Sequence, residues 1–252
     1  MTKWTDTLAA LGARFHIDEA SQVDDFGQPL DVAQLAAGFV APVTDQGLIA
    51  VAGEEAAKFL HTQLTNDVEH LGDNEARFAG FCTPKGRLQA SFLMWRDAEA
   101  VYLQLPRAIQ PALQKRLSMF VMRSKATLRD ATDEAPFAAV LAFGGAGAQA
   151  ALGRFVESLP DAPMGRRADG AGSVLRLHDA FGAPRYLWFT RSDTAADALA
   201  ALKGDLALGG NQAWRLAAIH AGEPQVSAAT QEQFVPQMVN LELLGGVNFK
   251  KG

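Results

Sequence analysis

The sequence predicts an α+β protein made of two related units of the ferredoxin-like, split βαβ type. Three observations support this fold class. Apolar runs of strand length alternate with segments of helical periodicity, and the same order of elements occurs twice, with a period of roughly 90 residues. The length of 252 residues also exceeds the usual single-domain size of roughly 100–150 residues. We therefore expect two units, each with its own core.

The first 47 residues are predicted to form a short helix and a loop. Residues 2–12 have the pattern of a short amphipathic helix. Ser21–Asp31 collects polar residues with Gly and Pro, which is typical of a surface loop. The regular part of the chain is therefore expected to begin near Leu48.

The first α+β unit is predicted to span residues 48–133. Its helical segments show apolar residues at helical spacing, and its first hairpin has Pro and Gly in the turn TPKGR. One proline opens the second helix, where it is tolerated. The predicted elements are, in order, the strand LIAVAG, the helix EEAAKFLHTQL, the strands ARFAGFC, LQASFLMW and AVYLQLP, the helix PALQKRLSMF and the strand KATLRDA.

The second unit is predicted to span residues 134–210 and to repeat the same scheme. Residues 211–252 are predicted to form a connecting helix and a C-terminal segment. The elements of the second unit are the strand FAAVLAF, the helix GAQAALGRFVESL, the hairpin strands GSVLRLHDA and PRYLWFT, and the helix DTAADALAALKG.

Composition and charge exclude several classes of protein. The net charge of −5 argues against broad binding to phosphate backbones, so we expect no direct nucleic-acid partner. Cys82 is the single cysteine, which excludes an intramolecular disulfide and a cysteine-based metal cage and fits a reducing compartment. No apolar run approaches the ~18 residues of a membrane span, and the N-terminus lacks a targeting signal. We expect a cytoplasmic protein with no metal and no membrane partner.

Familiar catalytic motifs are also missing. Ala142–Ala150 contains three glycines but neither the dinucleotide fingerprint nor a P-loop lysine. The five histidines are scattered, and no serine lies in a Gly-x-Ser-x-Gly elbow. Three polar clusters remain, and each also has a structural interpretation: a capping turn, a solvated hairpin tip and amides that satisfy buried backbone. The clusters are Gln63–Val68, Thr83–Arg87 and Phe234–Gly246.

In this order, the clusters resemble the YgfZ family, folate-binding relatives of the glycine-cleavage T-protein, an aminomethyltransferase. The resemblance covers roughly residues 48–252 and is carried by KFLHTQLTNDV, FCTPKGRLQASFLMWR and QFVPQMVNLELLGGVNFKKG. It implies related α+β units around a central cleft for tetrahydrofolate, followed by a C-terminal β-barrel. It also implies that the family motif segment within residues 211–252 packs at this cleft. Lys250, Lys251 and Gly252 match the family motif just before its cysteine. We therefore expect the chain to be cut there and the barrel to be absent.

The resemblance implies a folate-binding accessory protein in iron–sulfur cluster assembly or repair, which indirectly supports tRNA-modifying iron–sulfur enzymes. Iron–sulfur proteins or their assembly factors would be its clients. A pterin ring requires an amide or carboxylate edge, whereas the glutamate tail of folate prefers Arg or Lys. The candidate folate-binding residues are Asn66, Asp67, Gln237 and Asn240 for the ring, Arg87 for the tail, and His220, which falls at the position of a T-protein acid.

Two alternatives remain open. The first is an aminomethyl or one-carbon transferase that uses tetrahydrofolate. In T-proteins the segment matching KGRLQA carries an acidic pair, but Thr83–Trp95 contains no Asp or Glu. We therefore expect the transfer chemistry to be lost, and we assign no catalytic residue. The second alternative is a protein-interaction scaffold with a vestigial folate cleft.

Overall fold

A computed structural model of the chain describes residues 3–134 and 136–251. The chain divides into two compact units. Unit 1 consists of Met1–Asp45 and Asp133–Gly222, and unit 2 consists of Gln46–Thr132 and Glu223–Gly252. Each unit is therefore assembled from two separate stretches of sequence.

Helices and strands alternate along the chain. The helices are α1 (Lys3–Ala10), α2 (Val32–Ala37), α3 (Ala56–Gln63), α4 (Gln110–Val121), α5 (Ala148–Leu152), α6 (Ser192–Ala201), α7 (Asn211–His220) and a 3₁₀ turn at Pro236–Val239. The strands are β1 (Arg14–His16), β2 (Glu19–Asp25), β3 (Phe39–Pro42), β4 (Gln46–Ala52), β5 (Ala76–Cys82), β6 (Leu88–Arg96), β7 (Val101–Pro106), β8 (Thr127–Asp130), β9 (Ala139–Gly144), β10 (Arg166–Asp169), β11 (Gly172–Ala180), β12 (Ala183–Thr190) and β13 (Ala207–Leu208).

Unit 2 contains an open antiparallel sheet with the strand order β5-β6-β7-β4-β8. The apolar faces of α3 and α4 contribute Phe59, Leu60, Leu113 and Leu117 to the core beside this sheet. A helix that covers a sheet must bury one apolar stripe, which explains the helical spacing of these residues. The predicted order of strands and helices is confirmed, and with it the α+β class.

Unit 1 contains a second open sheet with the order β10-β11-β12-β9-β3-β13. Its pairings are antiparallel except for the β13–β3 pair, which is parallel. The core of this unit gathers Leu8, Phe143, Trp188 and Leu199. A strand–helix–hairpin–helix order again produces a sheet covered by helices.

The N-terminal region differs from its prediction. The helix is confirmed as α1, but the first residues of the predicted loop Ser21–Asp31 belong to strand β2. This strand is polar, so its sequence lacks the alternation that marks a strand. It is held instead by Arg14, whose Nε donates to Oδ1 of buried Asp25 at 2.6 Å. The guanidinium of Arg14 lowers the pKa of the Asp25 carboxyl.

The predicted helix GAQAALGRFVESL is shorter than expected. Helix α5 ends at Leu152, and Gly153 caps it by donating to Gln149 O at 3.0 Å. Glycine weakens a helix interior, which favours this end point. Helix α7, predicted as a connecting helix, is fixed within unit 1 because Thr44 N–H donates to Asn211 Oδ1 at 2.9 Å. Across the described residues, no helix combines the length and the apolar character needed to cross a bilayer.

Candidate functional site

The segment Glu223–Lys251 is attached to unit 2 at the start of β6. Leu88 N–H donates to Phe234 O at 2.8 Å, and Glu232 N–H donates to Leu88 O at 2.7 Å. The Nε2 of Gln231 donates to Gln89 O at 2.8 Å. The hairpin cluster and the C-terminal cluster, which are about 150 residues apart in sequence, therefore form one local structure.

A second attachment joins the end of this segment to the loop that follows α3. Thr65 Oγ1 donates to Gly246 O at 2.6 Å and accepts from Gly80 N–H at 2.7 Å. Asn248 N–H donates to Thr65 O at 2.9 Å. A Cβ at Gly246 would lie 2.6 Å from Leu241 Cγ, so the tight path requires glycine. The cluster Gln63–Val68 is therefore hydrogen-bonded to the sequence GGVN, residues 245–248.

Asn66 lies at the centre of this attachment. Its side-chain Nδ2 donates to Phe78 O and to Gly245 O, both at 2.7 Å. Its Oδ1 accepts from Asp67 N–H at 2.8 Å. Asn66 is buried, and the protein itself uses its amide. A contact between Asn66 and folate stays a prediction, whereas its role in joining the two segments is observed.

Asp67 is flanked by two histidines. Its Oδ1 lies 3.0 Å from His61 Nδ1, and its Oδ2 lies 2.8 Å from His70 Nδ1. Desolvation by partial burial acts to raise the pKa of the Asp67 carboxyl. The hydrogen bonds from the His70 backbone and side chain, together with the charges of His70 and His61, outweigh it, so the pKa is lowered. The folded state therefore favours the carboxylate.

We expect Asp67→Asn to destabilise the protein in a pH-dependent way. A carboxyl whose pKa is lower in the folded state stabilises it above the unfolded pKa of 3.8, and this contribution is lost as pH falls through the folded pKa. At about pH 7 the variant should lose about 1–2 kcal/mol of unfolding free energy, and the difference should shrink below about pH 4. Urea unfolding of both proteins across this range measures it. A difference that stays constant with pH would contradict the role of the charge.

Lys251 caps the C-terminal end of α3. Its Nζ donates to the carbonyl oxygens of His61 and Leu64, and Asn66 O lies 3.5 Å away. A cation at the C-terminus of a helix is favourable because it pairs with carbonyl oxygens that have no partner in the helix and offsets their partial negative charge. Burial lowers the pKa of the Lys251 ammonium, and the charge of Asp67 opposes this shift. Lys250 is exposed, and Gly252 lies outside the described residues.

The other predicted folate residues are more exposed. Arg87 donates from Nη1 to Gln233 O at 2.7 Å. Gln237 and Asn240 are exposed, and among the described residues their side chains have no hydrogen-bond partner. Asn240 adopts a left-handed conformation with φ of 56°, which asparagine tolerates better than most residues. His220 lies in unit 1, where its Nδ1 accepts from Phe181 N–H at 3.2 Å.

Asn66, Asp67 and Lys251 are therefore brought into one cluster, and Arg87 contacts the same C-terminal segment at another point. Gln237 and Asn240 follow on that segment, around its 3₁₀ turn. Because Asn66 and Lys251 bind backbone carbonyls, their observed contacts are structural.

Sequence reasoning missed the carboxylate of Glu232, which lies in the C-terminal segment and contacts the start of β6. Glu232 Oε1 accepts from Gln89 Nε2 at 2.7 Å. Both residues line a groove of about 520 Å³ beside α4, together with Leu113, Lys115, Arg116 and Met119. Gln89 is only 5% exposed, and among the described residues neither its Oε1 nor Arg116 Nε has a hydrogen-bond partner. We call this feature the Glu232 groove.

No local sequence pattern marks Glu232 as a residue of the site. The absence of acids from Thr83–Trp95 indicated a site without a carboxylate. The structure supplies one from a segment more than 130 residues later. Only the pairing of the C-terminal segment with β6 brings Glu232 next to Gln89.

The described residues contain no group of three or more His, Cys, Asp or Glu side chains able to hold a metal ion. Cys82 lies at the end of β5, and burial raises the pKa of its thiol. The protonated thiol is a weak metal ligand and a weak nucleophile.

Comparisons with curated proteins and with solved structures both identify relatives of this chain. No family model matches the sequence. The chain is 30% identical over 231 residues to the tRNA-modifying protein YgfZ of Cronobacter sakazakii, a match covering 89% of this chain and 68% of that protein. It is 31% identical over 225 residues to the tRNA-modifying protein YgfZ of an Enterobacter species, covering 89% and 67%. The chain thus spans about two thirds of the length of these relatives.

A solved structure also shares the fold. The glycine cleavage system aminomethyltransferase T from Bartonella henselae matches with a TM-score of 0.66 and 17% sequence identity. The match covers 81% of this chain and 58% of that protein. At this identity the likeness shows a common fold, and the predicted fold family is confirmed.

Proposed function

The chain belongs to the YgfZ family, and on that basis we propose that it binds tetrahydrofolate and acts in the cytoplasm as an accessory protein in iron–sulfur cluster assembly or repair. The proposed clients are iron–sulfur proteins or assembly factors, among them enzymes that modify tRNA. The curated relatives named tRNA-modifying protein support the tRNA part of this proposal. The resemblance described above supports the iron–sulfur part.

The observation that carries folate binding is the chemistry of the Glu232 groove. Folate has a pterin ring with hydrogen-bond donors on one edge and a glutamate tail with carboxylates. The groove offers the Glu232 carboxylate and the unpartnered Oε1 of Gln89 as acceptors, and Lys115 and Arg116 as cations. Its volume of about 520 Å³ lies within the range of ligand pockets, roughly 300–1,000 Å³. The residues present therefore fit this ligand.

The roles of the residues follow from these chemical preferences. Glu232 and Gln89 would bind the donor edge of the pterin, while the side chains of Leu113 and Met119 provide an apolar wall. Lys115 and Arg116 would bind the tail carboxylates by charge-assisted hydrogen bonds. Tetrahydrofolate itself supplies a carrier for one-carbon units when it is bound. Arg87, Gln237, Asn240 and His220 stay predicted contacts, in line with the resemblance.

A second candidate function is an aminomethyl or one-carbon transferase. Glu232 favours it, because the structure places a carboxylate next to Gln89 even though Thr83–Trp95 has none. A carboxylate beside the folate amine is the group that such a transfer requires. A scaffold with a vestigial cleft is the third candidate and predicts no folate binding.

Calorimetric titration with tetrahydrofolate tests the proposal. We expect saturable binding with a Kd of about 1–100 μM, typical of a groove that is open to solvent. Asn240→Gly should weaken binding by about three- to tenfold, because one neutral hydrogen bond contributes about 0.5–1.5 kcal/mol. Glycine keeps the left-handed backbone at this position, so the variant removes the amide without adding strain.

The outcomes separate the three candidates. An absence of heat at millimolar ligand would contradict folate binding and leave the scaffold. Binding with wild-type affinity by Asn240→Gly would restrict Asn240 to a structural role. Turnover of tetrahydrofolate with an aminomethyl donor would support the transferase. The accessory role predicts no turnover, together with a loss of iron–sulfur-dependent tRNA modifications, measured by nucleoside mass spectrometry, in cells that lack the protein.

A further inference from the structure

A second groove in unit 2 lies between α3 and the end of α4, and we call it the α3–α4 groove. Its volume is about 540 Å³, and its lining includes Lys58, Phe59, Thr62, Phe120, Met122 and Arg123. None of these residues lines the Glu232 groove. The proposed folate function therefore leaves this surface without a role.

The rim of the α3–α4 groove exposes large apolar side chains. Met122 is 87% exposed and Phe120 is 44% exposed, while Phe59 beneath them is buried. Met122 also has φ of 40°, a conformation that favours glycine and is unusual for a bulky residue. An exposed apolar residue in a strained conformation stabilises neither the core nor the backbone. Exposed clusters of methionine and aromatic residues are typical of protein-docking surfaces.

The groove is also locally positive, although the whole chain carries a net charge of −5. Among the described residues, the side chains of Lys58 and Arg123 have no hydrogen-bond or ion-pair partner. Glu55 also lines the groove, and its Oε2 accepts from the Lys125 backbone N–H at 2.7 Å, whereas Glu54 Oε2 accepts from Lys125 Nζ at 2.8 Å. With Lys58 and Arg123 against Glu55, the lining has a formal excess of one positive charge. Residues 107–129, which include α4, contain no Asp or Glu. The two free cations therefore flank an apolar rim.

We propose that the α3–α4 groove binds an acidic amphipathic helix of a partner protein. The apolar side of such a helix would cover Phe120 and Met122, and its carboxylates would pair with Lys58 and Arg123. Charge complementarity of this kind gives specificity and speeds association. The proposal goes beyond folate binding, because it assigns a docking surface through which a client could be engaged.

The composition of the rim favours a polypeptide over RNA. Sites for single-stranded RNA stack successive bases on several aromatic side chains, whereas the exposed apolar side chains of this rim are one aromatic ring, Phe120, and Met122. Methionine side chains also contribute nothing to the recognition of phosphates. Two cations next to an apolar rim match an acidic helix better than a phosphate backbone.

Fluorescence anisotropy with a defined probe tests the proposal. The probe is a synthetic peptide of about 16 residues with Leu and Phe at helical spacing and Glu on the other face. We expect the wild-type chain to bind it and increasing salt to weaken the binding. Lys58→Glu and Arg123→Glu together should raise the Kd by about tenfold or more. Met122→Ser should weaken binding at unchanged net charge.

Lys203→Glu, at an exposed lysine in unit 1, is the matched control for each single charge reversal, Lys58→Glu or Arg123→Glu, and should stay within about twofold of the wild type. Circular dichroism melts check that each variant folds. The proposal is overturned if the charge variants behave like Lys203→Glu, or if a scrambled peptide of the same composition binds equally well. It is also overturned if a wild-type dimer in analytical ultracentrifugation dissociates in Met122→Ser, since a second copy would then be the occupant. Preferential, groove-dependent binding of a 12-nucleotide RNA would overturn it in favour of RNA.

Discussion

Replacing Asn66 with leucine is expected to lower the free energy of unfolding by about 3 kcal/mol, the largest stability effect that we expect at the candidate site. The side chain is 4% exposed and makes three hydrogen bonds, to Phe78 O, Gly245 O and Asp67 N–H. Leucine has a similar volume but leaves these three backbone groups without their partner. Each unpaired buried group costs about 1–3 kcal/mol, and water can reach some of them after local opening. Urea unfolding at constant pH measures the change.

A matched control separates the buried amide from an exposed one. Asn240→Gly removes an exposed amide from the same C-terminal segment and should change the unfolding free energy by less than about 0.5 kcal/mol. The leucine variant should also speed hydrogen exchange at Asn248 N–H, which donates to Thr65 O. An Asn66→Leu protein as stable as Asn240→Gly would show that the two segments are not held together by this amide.

Glu232→Gln is expected to weaken tetrahydrofolate binding by about tenfold or more, the largest functional effect that follows from the proposed site. The substitution keeps the size of the side chain and leaves an oxygen to accept from Gln89 Nε2. It removes the charge that would strengthen hydrogen bonds to the pterin, and hydrogen bonds to charged groups contribute about 1.5–3 kcal/mol. Because φ at this position is 62° in the wild type, the backbone strain is similar in both proteins. Calorimetry gives both affinities.

Glu99→Gln serves as the control, because Glu99 is an exposed carboxylate of the same unit that lies outside the Glu232 groove. It should bind tetrahydrofolate as the wild type does. If the wild type binds folate and Glu232→Gln binds equally well, then folate occupies another site and the assignment of the groove fails while folate binding stands. If neither protein binds, the proposed function itself fails.

Much of the fold could be predicted from the sequence because its strands and helices are strongly apolar and periodic. The run GLIAVA in β4 is almost entirely buried, and α3 buries Ala56, Phe59 and Leu60 at helical spacing. Strand β2 could not be predicted, because it is polar and depends on an ion pair between Arg14 and Asp25. The same holds for the end of α5, where the pattern continued beyond Gly153 but the helix did not.

The candidate site was less predictable than the fold. The sequence linked the three polar clusters only by their likeness to one family, and the structure adds the hydrogen bonds that connect Thr65 and Arg87 to the C-terminal segment. Their individual roles did not follow from residue type. Asn66 has the chemistry of a pterin contact, yet its donors and acceptor bind backbone groups in this structure. Glu232 was passed over because no local pattern marks a carboxylate that reaches a strand distant in sequence.

The sequence by itself determined the α+β class, the order of helices and strands along the chain of unit 2 and the family of the protein, because these depend on local periodicity and on motifs read along the chain. The tertiary structure alone decided which polar groups are used internally and which remain available. Hydrogen bonds between Thr65 and Gly246 and between Gln89 and Glu232 join residues separated by more than 140 positions. Partner choice at that distance depends on how the backbone folds, and no local spacing of residues encodes it.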